Sequence, residues 1–167
     1  MKKILFLSLI VATMLTACTE EELVTKRLDG TWDVKKVDYS AKIILPPPIS
    51  LEVPVSGISE NSGNMVFSKK NDECSYDISF TTKPIELTGL GSIPATPITI
   101  KGKGTWTNTA KEVTITNSDS LKTKFVFAIQ KNERYLQEWK TTINYQIAQL
   151  GNTPVPVTLV ITMEKKR

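Results

Sequence analysis

The feature that most constrains the fold of this chain is a repeated two-residue alternation of apolar and polar side chains that begins at Gly30. Thr, Val, Ile and aromatic residues dominate the alternating runs, and Gly, Pro and Asn separate them, which is typical of β-strands joined by turns. About eight long runs or strand pairs can be counted, and none of them shows helical periodicity. The sequence therefore predicts an all-β domain.

Two of the runs contain irregularities that predict local distortions of the sheet. The run from Thr31 to Leu45 changes phase near Lys35 and Lys36, which indicates a β-bulge. The run from Thr96 to Trp106 carries glycine at positions 102 and 104 on its apolar side. Small residues there predict a sharply bent strand, as a barrel requires.

The order of the runs favours one closed sheet. Antiparallel runs that follow one another along the chain, each with one apolar side, can bury that side by closing into an up-and-down barrel, which also removes exposed sheet edges. A sandwich of two open sheets would satisfy the same alternation. We expect the single antiparallel barrel of about eight strands.

The first residues resemble the export signal of bacterial lipoproteins. Lys2 and Lys3 precede an apolar run over residues 4–15 that is too short to span a bilayer as a helix. Leu15-Thr16-Ala17-Cys18 resembles the lipobox. This resemblance implies a signal peptide over residues 1–17, lipidation of Cys18, a tether over 18–27 and a barrel domain over 28–167.

The tether begins with three acidic residues, Glu20, Glu21 and Glu22. They resemble the acidic signal that follows the lipidated cysteine in surface lipoproteins of the Bacteroidetes, which implies an outer-membrane protein exposed at the cell surface. A solvated spacer on a periplasm-facing protein is the alternative. In either case we expect this polar tether to be too short and too charged to pack by itself.

Charge and composition exclude several classes of function. The chain has 21 Lys and Arg against 17 Asp and Glu, and two of the lysines belong to the signal, so a nucleic-acid partner is not expected. It contains no histidine, its carboxylates are scattered, and no glycine-rich loop opens a helix. We therefore expect no enzymatic activity, no cofactor and no metal site.

Of the two cysteines, Cys74 has no partner for a disulfide once Cys18 is lipidated. It opens a run in which even positions are apolar and odd positions polar, so its thiol is predicted to face the interior. The interpretation we favour is a small core residue, and a reactive thiol is the alternative.

The segment Leu28-Asp29-Gly30-Thr31-Trp32-Asp33-Val34 resembles the Gly-x-Trp opening of lipocalins, especially the short lipocalin-like lipoproteins of Bacteroidetes. The hairpin formed by Gly104-Thr105-Trp106 and residues 112–115 is similar to a mid-barrel hairpin of that family. The resemblance implies a lipocalin-like barrel, a structural role for Trp32 as the plug of the closed end, and a function in binding.

Several aromatic residues are predicted to point into the barrel. An eight-stranded barrel can be filled by side chains or can hold one small ligand, so these residues are either core or the lining of an apolar pocket. The hydroxyl groups of Tyr76 and Tyr145 are the candidate polar anchors for a ligand. The candidate lining residues are Tyr76, Trp106, Phe127, Trp139 and Tyr145.

Three long, proline-bearing connections are predicted to share one rim, because alternate connections of an up-and-down barrel lie at the same end. They cover residues 44–51, 87–97 and 148–156, and each is rich in apolar residues. Their apolar side chains are expected to form a second small core between hairpins, a surface that docks a protein or a glycan, or the mouth of a ligand cavity.

These patterns lead to two functional hypotheses. The first is a membrane-anchored, lipocalin-like binding protein that holds a small apolar ligand. The second is a non-catalytic surface scaffold that docks a protein or glycan through its hairpin rim. A cavity of roughly 300 Å³ or more lined by Trp106 and Trp139 would favour the ligand carrier, and a filled interior would favour the scaffold.

Overall fold

The computed structural model describes residues 19–45, 50–87, 91–146 and 153–167 and forms one helix and ten strands within them. The predicted signal peptide, Cys18, the Pro46–Pro48 run and the tips of the other two rim connections lie outside these residues. The elements are α1 (Glu20–Leu28), β1 (Gly30–Ile44), β2 (Glu52–Ser68), β3 (Glu73–Thr81), β4 (Ile85–Leu87), β5 (Gly91–Ile93), β6 (Pro97–Asn108), β7 (Glu112–Asn117), β8 (Lys124–Asn132), β9 (Leu136–Gln146) and β10 (Pro154–Lys165).

Eight of the strands form a closed antiparallel barrel in the order β1-β10-β9-β8-β7-β6-β3-β2. The first strand closes the sheet, because it pairs with β2 on one side and with β10 on the other, where Trp32 lies opposite Lys165 and Ala41 opposite Val157. The predicted up-and-down barrel is confirmed, and the sandwich alternative is wrong. Strands β4 and β5 form a separate hairpin between β3 and β6.

The predicted bulge is present, and the two glycines of β6 lie where a side chain would clash; the predicted sharp bend of that strand stays a prediction. The register of β1 shifts between Val34 and Lys36 against both neighbouring strands, which is the expected bulge. In β6, a Cβ atom at Gly104 would lie 2.0 Å from the carbonyl oxygen of Thr116, and one at Gly102 would lie 2.5 Å from the hydroxyl oxygen of Tyr76. Glycine is therefore required at both positions, by close backbone approach at one and by a core side chain at the other.

The interior near the start of β1, which we call the closed end, is filled by aromatic side chains. The ring centroid of Phe67 lies 5.5 Å from that of Trp106 and 5.6 Å from that of Trp139, both in edge-to-face geometry, and Phe127 lies 5.5 Å from Trp139. The Trp139 indole N–H donates to the Gln137 side chain at 3.3 Å, so its buried polar atom has a partner. Such contacts stabilise a core beyond the area that they bury.

A second apolar cluster lies at the opposite end of the barrel, which we call the mouth. It joins Ile43 and Leu45 of the first rim connection to Ile93 of the β4–β5 hairpin and to Val155 of β10. The described parts of the three rim connections therefore pack on one another, which corresponds to the second small core considered from the sequence.

The segment predicted to be an unpacked tether, residues 18–27, is instead helical from Glu20 onward, and this prediction was wrong. Thr19 caps the helix by accepting a hydrogen bond from the Glu22 backbone N–H at 3.2 Å. Val24 and Leu28, one helical turn apart, are completely or almost completely buried in the barrel core. The burial of this apolar pair stabilises the helix against the barrel despite its charged outer face.

The predicted plug, Trp32, is completely buried at the closed end beneath α1. Its indole N–H donates to the Leu28 carbonyl at 2.7 Å, and the Lys165 ammonium lies 5.4 Å from its ring centroid. Lys165 also donates to the Arg27 carbonyl at 2.9 Å, near the C-terminal end of α1, where a cation is favoured. The helix, the first strand and the last strand thus meet at one indole ring.

We predict that Leu28→Ala lowers the free energy of unfolding by about 2 to 5 kcal/mol, because it leaves a cavity between α1 and the barrel. The matched control is Leu23→Ala on the same helix, where the side chain is exposed and the expected change is within about 0.5 kcal/mol. Urea denaturation followed by tryptophan fluorescence measures both. Equal effects of the two substitutions would show that α1 does not pack as described.

Candidate functional site

The mouth of the barrel contains a small, partly open apolar chamber, to which the β4–β5 hairpin contributes Ile85 and Ile93. Its walls come from the ends of β1, β2, β6, β9 and β10, and no charged side chain lines it. The lining residues are Tyr39, Ala41, Ile43, Val55, Thr82, Ile85, Ile93, Thr96, Ile98, Tyr145, Val155 and Val157. Wall residues of this kind suit an apolar molecule.

The chamber is small in this conformation. Its volume is about 40 Å³, whereas sites for small-molecule ligands usually span roughly 300 to 1,000 Å³. A ligand of ordinary size therefore does not fit the chamber in this conformation.

Among the described residues, backbone pairing, two hydrogen bonds at its base and apolar packing of Ile93 hold the hairpin in place. Its two strands pair with each other over three residue pairs, from Ile85 opposite Ile93 to Leu87 opposite Gly91, and belong to a sheet separate from the barrel. At its base, the Thr82 backbone N–H donates to the Thr96 carbonyl and the Thr96 N–H donates to the Thr82 hydroxyl, both at 2.9 Å. The hairpin thus has a defined base, and its inner face is made of two isoleucine side chains.

Two tyrosine hydroxyl groups lie at the edge of the chamber. The Tyr39 hydroxyl oxygen accepts from the Lys83 backbone N–H at 2.8 Å, and the Tyr39 ring stacks on Phe80 with a centroid distance of 5.5 Å. The Tyr145 hydroxyl donates to the Pro97 carbonyl at 3.3 Å. These hydroxyls tie β1 and β9 to the two ends of the segment that carries the hairpin.

The structure divides the sequence-predicted lining residues between two regions. Trp106, Phe127 and Trp139 lie in the packed aromatic core, and no cavity of several hundred Å³ beside the two tryptophans is found in the part of the chain described. Of the candidate lining residues, Tyr145 alone is in the chamber wall.

The other predicted anchor, Tyr76, is buried in the barrel core. Its hydroxyl group hydrogen-bonds the Asn117 side-chain oxygen at 2.5 Å, and its ring meets Phe125 edge to face with centroids 6.1 Å apart. Burial raises the pKa of Tyr76, and the hydrogen bond to Asn117 opposes part of that increase. Its hydroxyl therefore already has a protein partner.

Sequence reasoning missed most of the chamber lining because the search concentrated on aromatic residues. The inward phase of β1 and β10 already identifies Tyr39, Ile43, Val155 and Val157 as interior positions. The hairpin residues carry no comparable signal, since each of its strands has only three residues.

Larger recesses lie on the outer wall of the barrel. One of about 540 Å³ runs across β2, β3 and β6, where Val66, Ser75 and Lys103 are among its lining residues. It is open to solvent and mixes charged, polar and apolar groups, so it does not suit an apolar molecule as the chamber does.

The described ranges contain no group of three or more His, Cys, Asp or Glu side chains placed to hold a metal ion. None of the helical segments within those ranges is long and apolar enough to cross a membrane.

Comparisons with known proteins give structural similarity only. No protein-family model matches the chain, and no curated protein matches it. A bovine odorant-binding protein, a deswapped triple mutant, is 11% identical over 81% of this chain and 73% of its own, with a TM-score of 0.34. An S-type phycobiliprotein lyase from Guillardia theta is 10% identical over 87% of this chain and 92% of its own, with a TM-score of 0.39. The barrel assignment rests on the strand pairing described above.

Cys74 lies on the inner face of β3, as the alternation predicts, and only 5% of its surface is exposed. Burial raises the pKa of its thiol from 9.0 to about 11, and a backbone hydrogen bond with Gly104 partly opposes that increase. At neutral pH the thiol is protonated, which disfavours nucleophilic reactions.

We predict that iodoacetamide labels Cys74 at pH 8 about 100-fold more slowly in the folded protein than in urea, because a pKa higher by about two units reduces the thiolate fraction by that factor. The Cys18→Ser chain leaves Cys74 as the single thiol. Similar labelling rates in both states would indicate an accessible thiolate.

The raised pKa of Cys74 also predicts how stability changes with pH. Between pH 9 and about 11, the unfolded chain binds fewer protons than the folded one, so the free energy of unfolding is expected to fall as pH rises.

Proposed function

We propose that this protein is a non-catalytic binding protein, anchored to the outer membrane through Cys18, that holds a small apolar ligand in the mouth chamber. The observation that carries the proposal is the chamber itself: it is apolar, it has no charged lining residue, and part of its wall is a hairpin outside the barrel sheet. The filled closed half of the barrel supplies rigid walls for the site.

Binding in this proposal requires opening of the β4–β5 hairpin. Outward movement exposes Ile85 and Ile93 and separates Ile93 from the aliphatic residues of β1 and β10. A ligand that contacts those same residues replaces the lost apolar contacts, whereas water does not. The chamber therefore selects for apolar molecules over polar ones of the same size.

The proposed anchor rests on the lipobox resemblance of residues 15–18 and on the apolar run before it. The acidic residues Glu20, Glu21 and Glu22 are exposed in the first turn of α1, where they are available to an export apparatus and also favour the helix N-terminus. We place the barrel on the cell surface, with a periplasm-facing position as the alternative.

A second function, docking of a protein or glycan by a scaffold, is favoured by a different observation. Ile44 and Leu51, which flank the first rim connection, are 71% and 49% exposed beside the mouth. Large apolar side chains exposed together at one rim are typical of contact surfaces. The packed aromatic core around Trp106 and Trp139 is the filled interior that, by the criterion set from the sequence, favours a scaffold.

For the ligand proposal, we predict that the purified protein binds Nile red, an uncharged fluorescent probe, and that Val157→Phe weakens this binding roughly tenfold by filling the chamber. The measurement is fluorescence titration. The matched control is Val126→Phe at a position on β8 that is 48% exposed, which is expected to leave the affinity unchanged.

Thermal unfolding of both variants separates a filled chamber from a damaged fold. Equal probe affinity in the two variants would place the binding elsewhere. Failure of the parent protein to bind the probe would contradict the ligand proposal and favour the scaffold.

For the anchor, we predict that Cys18→Ser moves the protein from the membrane fraction to the soluble fraction of cells, because several acyl chains hold a protein far more firmly than surface contacts do. Fractionation and immunoblotting measure the distribution. Cys74→Ser is the matched control and is expected to stay in the membrane fraction. Full retention of the Cys18 variant would refute lipidation at that residue.

A further inference from the structure

An exposed tyrosine at the closed end lies between two arginine side chains. Tyr135, in the turn between β8 and β9, is 47% exposed. The Arg134 guanidinium carbon lies 5.3 Å from its ring centroid and that of Arg167 lies 5.5 Å away. Cation–π contacts of this kind hold two positive charges together at one surface position.

We call Arg134, Tyr135, Lys166 and Arg167 the basic corner. Backbone hydrogen bonds fix it to the barrel, because the Lys165 N–H donates to the Tyr135 carbonyl at 3.0 Å and the Lys166 N–H donates to the Thr31 carbonyl at 2.9 Å. The turn and the end of β10 are therefore one surface.

The acidic groups near this surface do not neutralise it. Glu133 forms an ion pair with Lys131 at 3.1 Å, and Glu164 is exposed on β10. Asp33, opposite Glu164 on β1, pairs with Lys35 at 3.4 Å. Against these three carboxylates and the terminal carboxylate of Arg167 stand Lys35, Lys131 and the three basic side chains of the corner. The surface thus carries an excess of positive charge around the phenol ring of Tyr135.

The same end of the barrel bears α1, which follows Cys18 directly. The helix is capped by Thr19 and its Arg27 guanidinium donates to the Asn132 carbonyl at 2.5 Å, next to the turn that holds the corner. Nine helical residues span about 14 Å. An acyl anchor on Cys18 would therefore hold the closed end close to the membrane surface.

We propose that the basic corner is a membrane-docking surface that binds the phosphate groups of anionic lipids in a bilayer. Arginine forms paired hydrogen bonds with phosphate, and tyrosine is favoured at the level of lipid headgroups. The orientation of the barrel, with its mouth away from the membrane, rests on the proposed anchor; the lipid binding of the corner does not.

The acidic first turn of α1 affects which side of the barrel faces an anionic surface. Glu20, Glu21 and Glu22 lie at the other end of the helix, where Asn108 donates to the Glu21 carbonyl at 3.0 Å. In the chain without an acyl group, an anionic surface repels these carboxylates and attracts the corner, so the barrel meets the surface through the β8–β9 turn and the end of β10.

The test uses the mature chain with Cys18→Ser, so that no acyl group contributes, and sedimentation with vesicles. We expect it to bind vesicles of mixed phosphatidylcholine and phosphatidylglycerol, and to bind pure phosphatidylcholine vesicles only weakly. Arg134→Gln combined with Arg167→Gln is expected to weaken binding to the anionic vesicles about 30-fold, given the usual contribution of a basic residue near such a surface. High salt should weaken it as well.

The matched control is Lys103→Gln combined with Lys122→Gln, which removes the same charge from exposed positions on β6 and in the turn between β7 and β8, away from the basic corner. It is expected to retain most of the binding, and thermal unfolding checks that both double variants are folded. Equal loss in the two variants, equal binding to neutral vesicles, or no binding by the parent would each overturn the proposal. Because the chain lacks the anchor cysteine, none of these results depends on lipidation or on the mouth chamber.

Discussion

The structure depends on the antiparallel pairing of β1 with β10. This pairing joins the first and last strands over Trp32 to Ala41 and turns a meander into a barrel without an open edge. Closure also creates the interior, since one face of every strand then points to a common axis. The contacts that hold α1 at the closed end depend on the same pairing, because Lys165 reaches Trp32 and the end of α1 only when β10 lies beside β1.

The closed interior is divided by side-chain type. Aromatic rings fill the half near α1, where Phe67 and Trp139 touch in edge-to-face geometry. The chamber in the other half is lined mainly by aliphatic residues, with Tyr39 and Tyr145 at its edge, and the β4–β5 hairpin adds Ile85 and Ile93 to its wall. Planar rings pack tightly there, whereas short branched side chains leave space near the mouth. The division explains why a candidate ligand site exists away from the residues that the sequence singled out.

The packed helix α1 would limit the rotation of the barrel about its proposed anchor on Cys18. An unpacked tether would let the domain rotate freely, whereas α1 begins at Glu20 and buries Val24 and Leu28 in the core. The capping pattern Thr19-x-x-Glu22 and the apolar pair one turn apart were both visible in the sequence. They were overlooked because charge dominates the segment. Because α1 packs on the barrel, the connection between the proposed anchor and the domain is short, and it would restrict how the closed end is oriented at the membrane.

The sequence by itself determined the strands, the bulge near Lys35 and the inward face of Cys74, because each depends on local periodicity and local sterics. Only the tertiary structure decided which interior residues fill the barrel and which line the chamber. That outcome depends on contacts between residues far apart in the chain, such as Ile43 with Ile93 and Trp32 with Lys165. The alternation predicts that a side chain faces inward. The free volume around that side chain depends on the side chains that the other strands contribute to the interior.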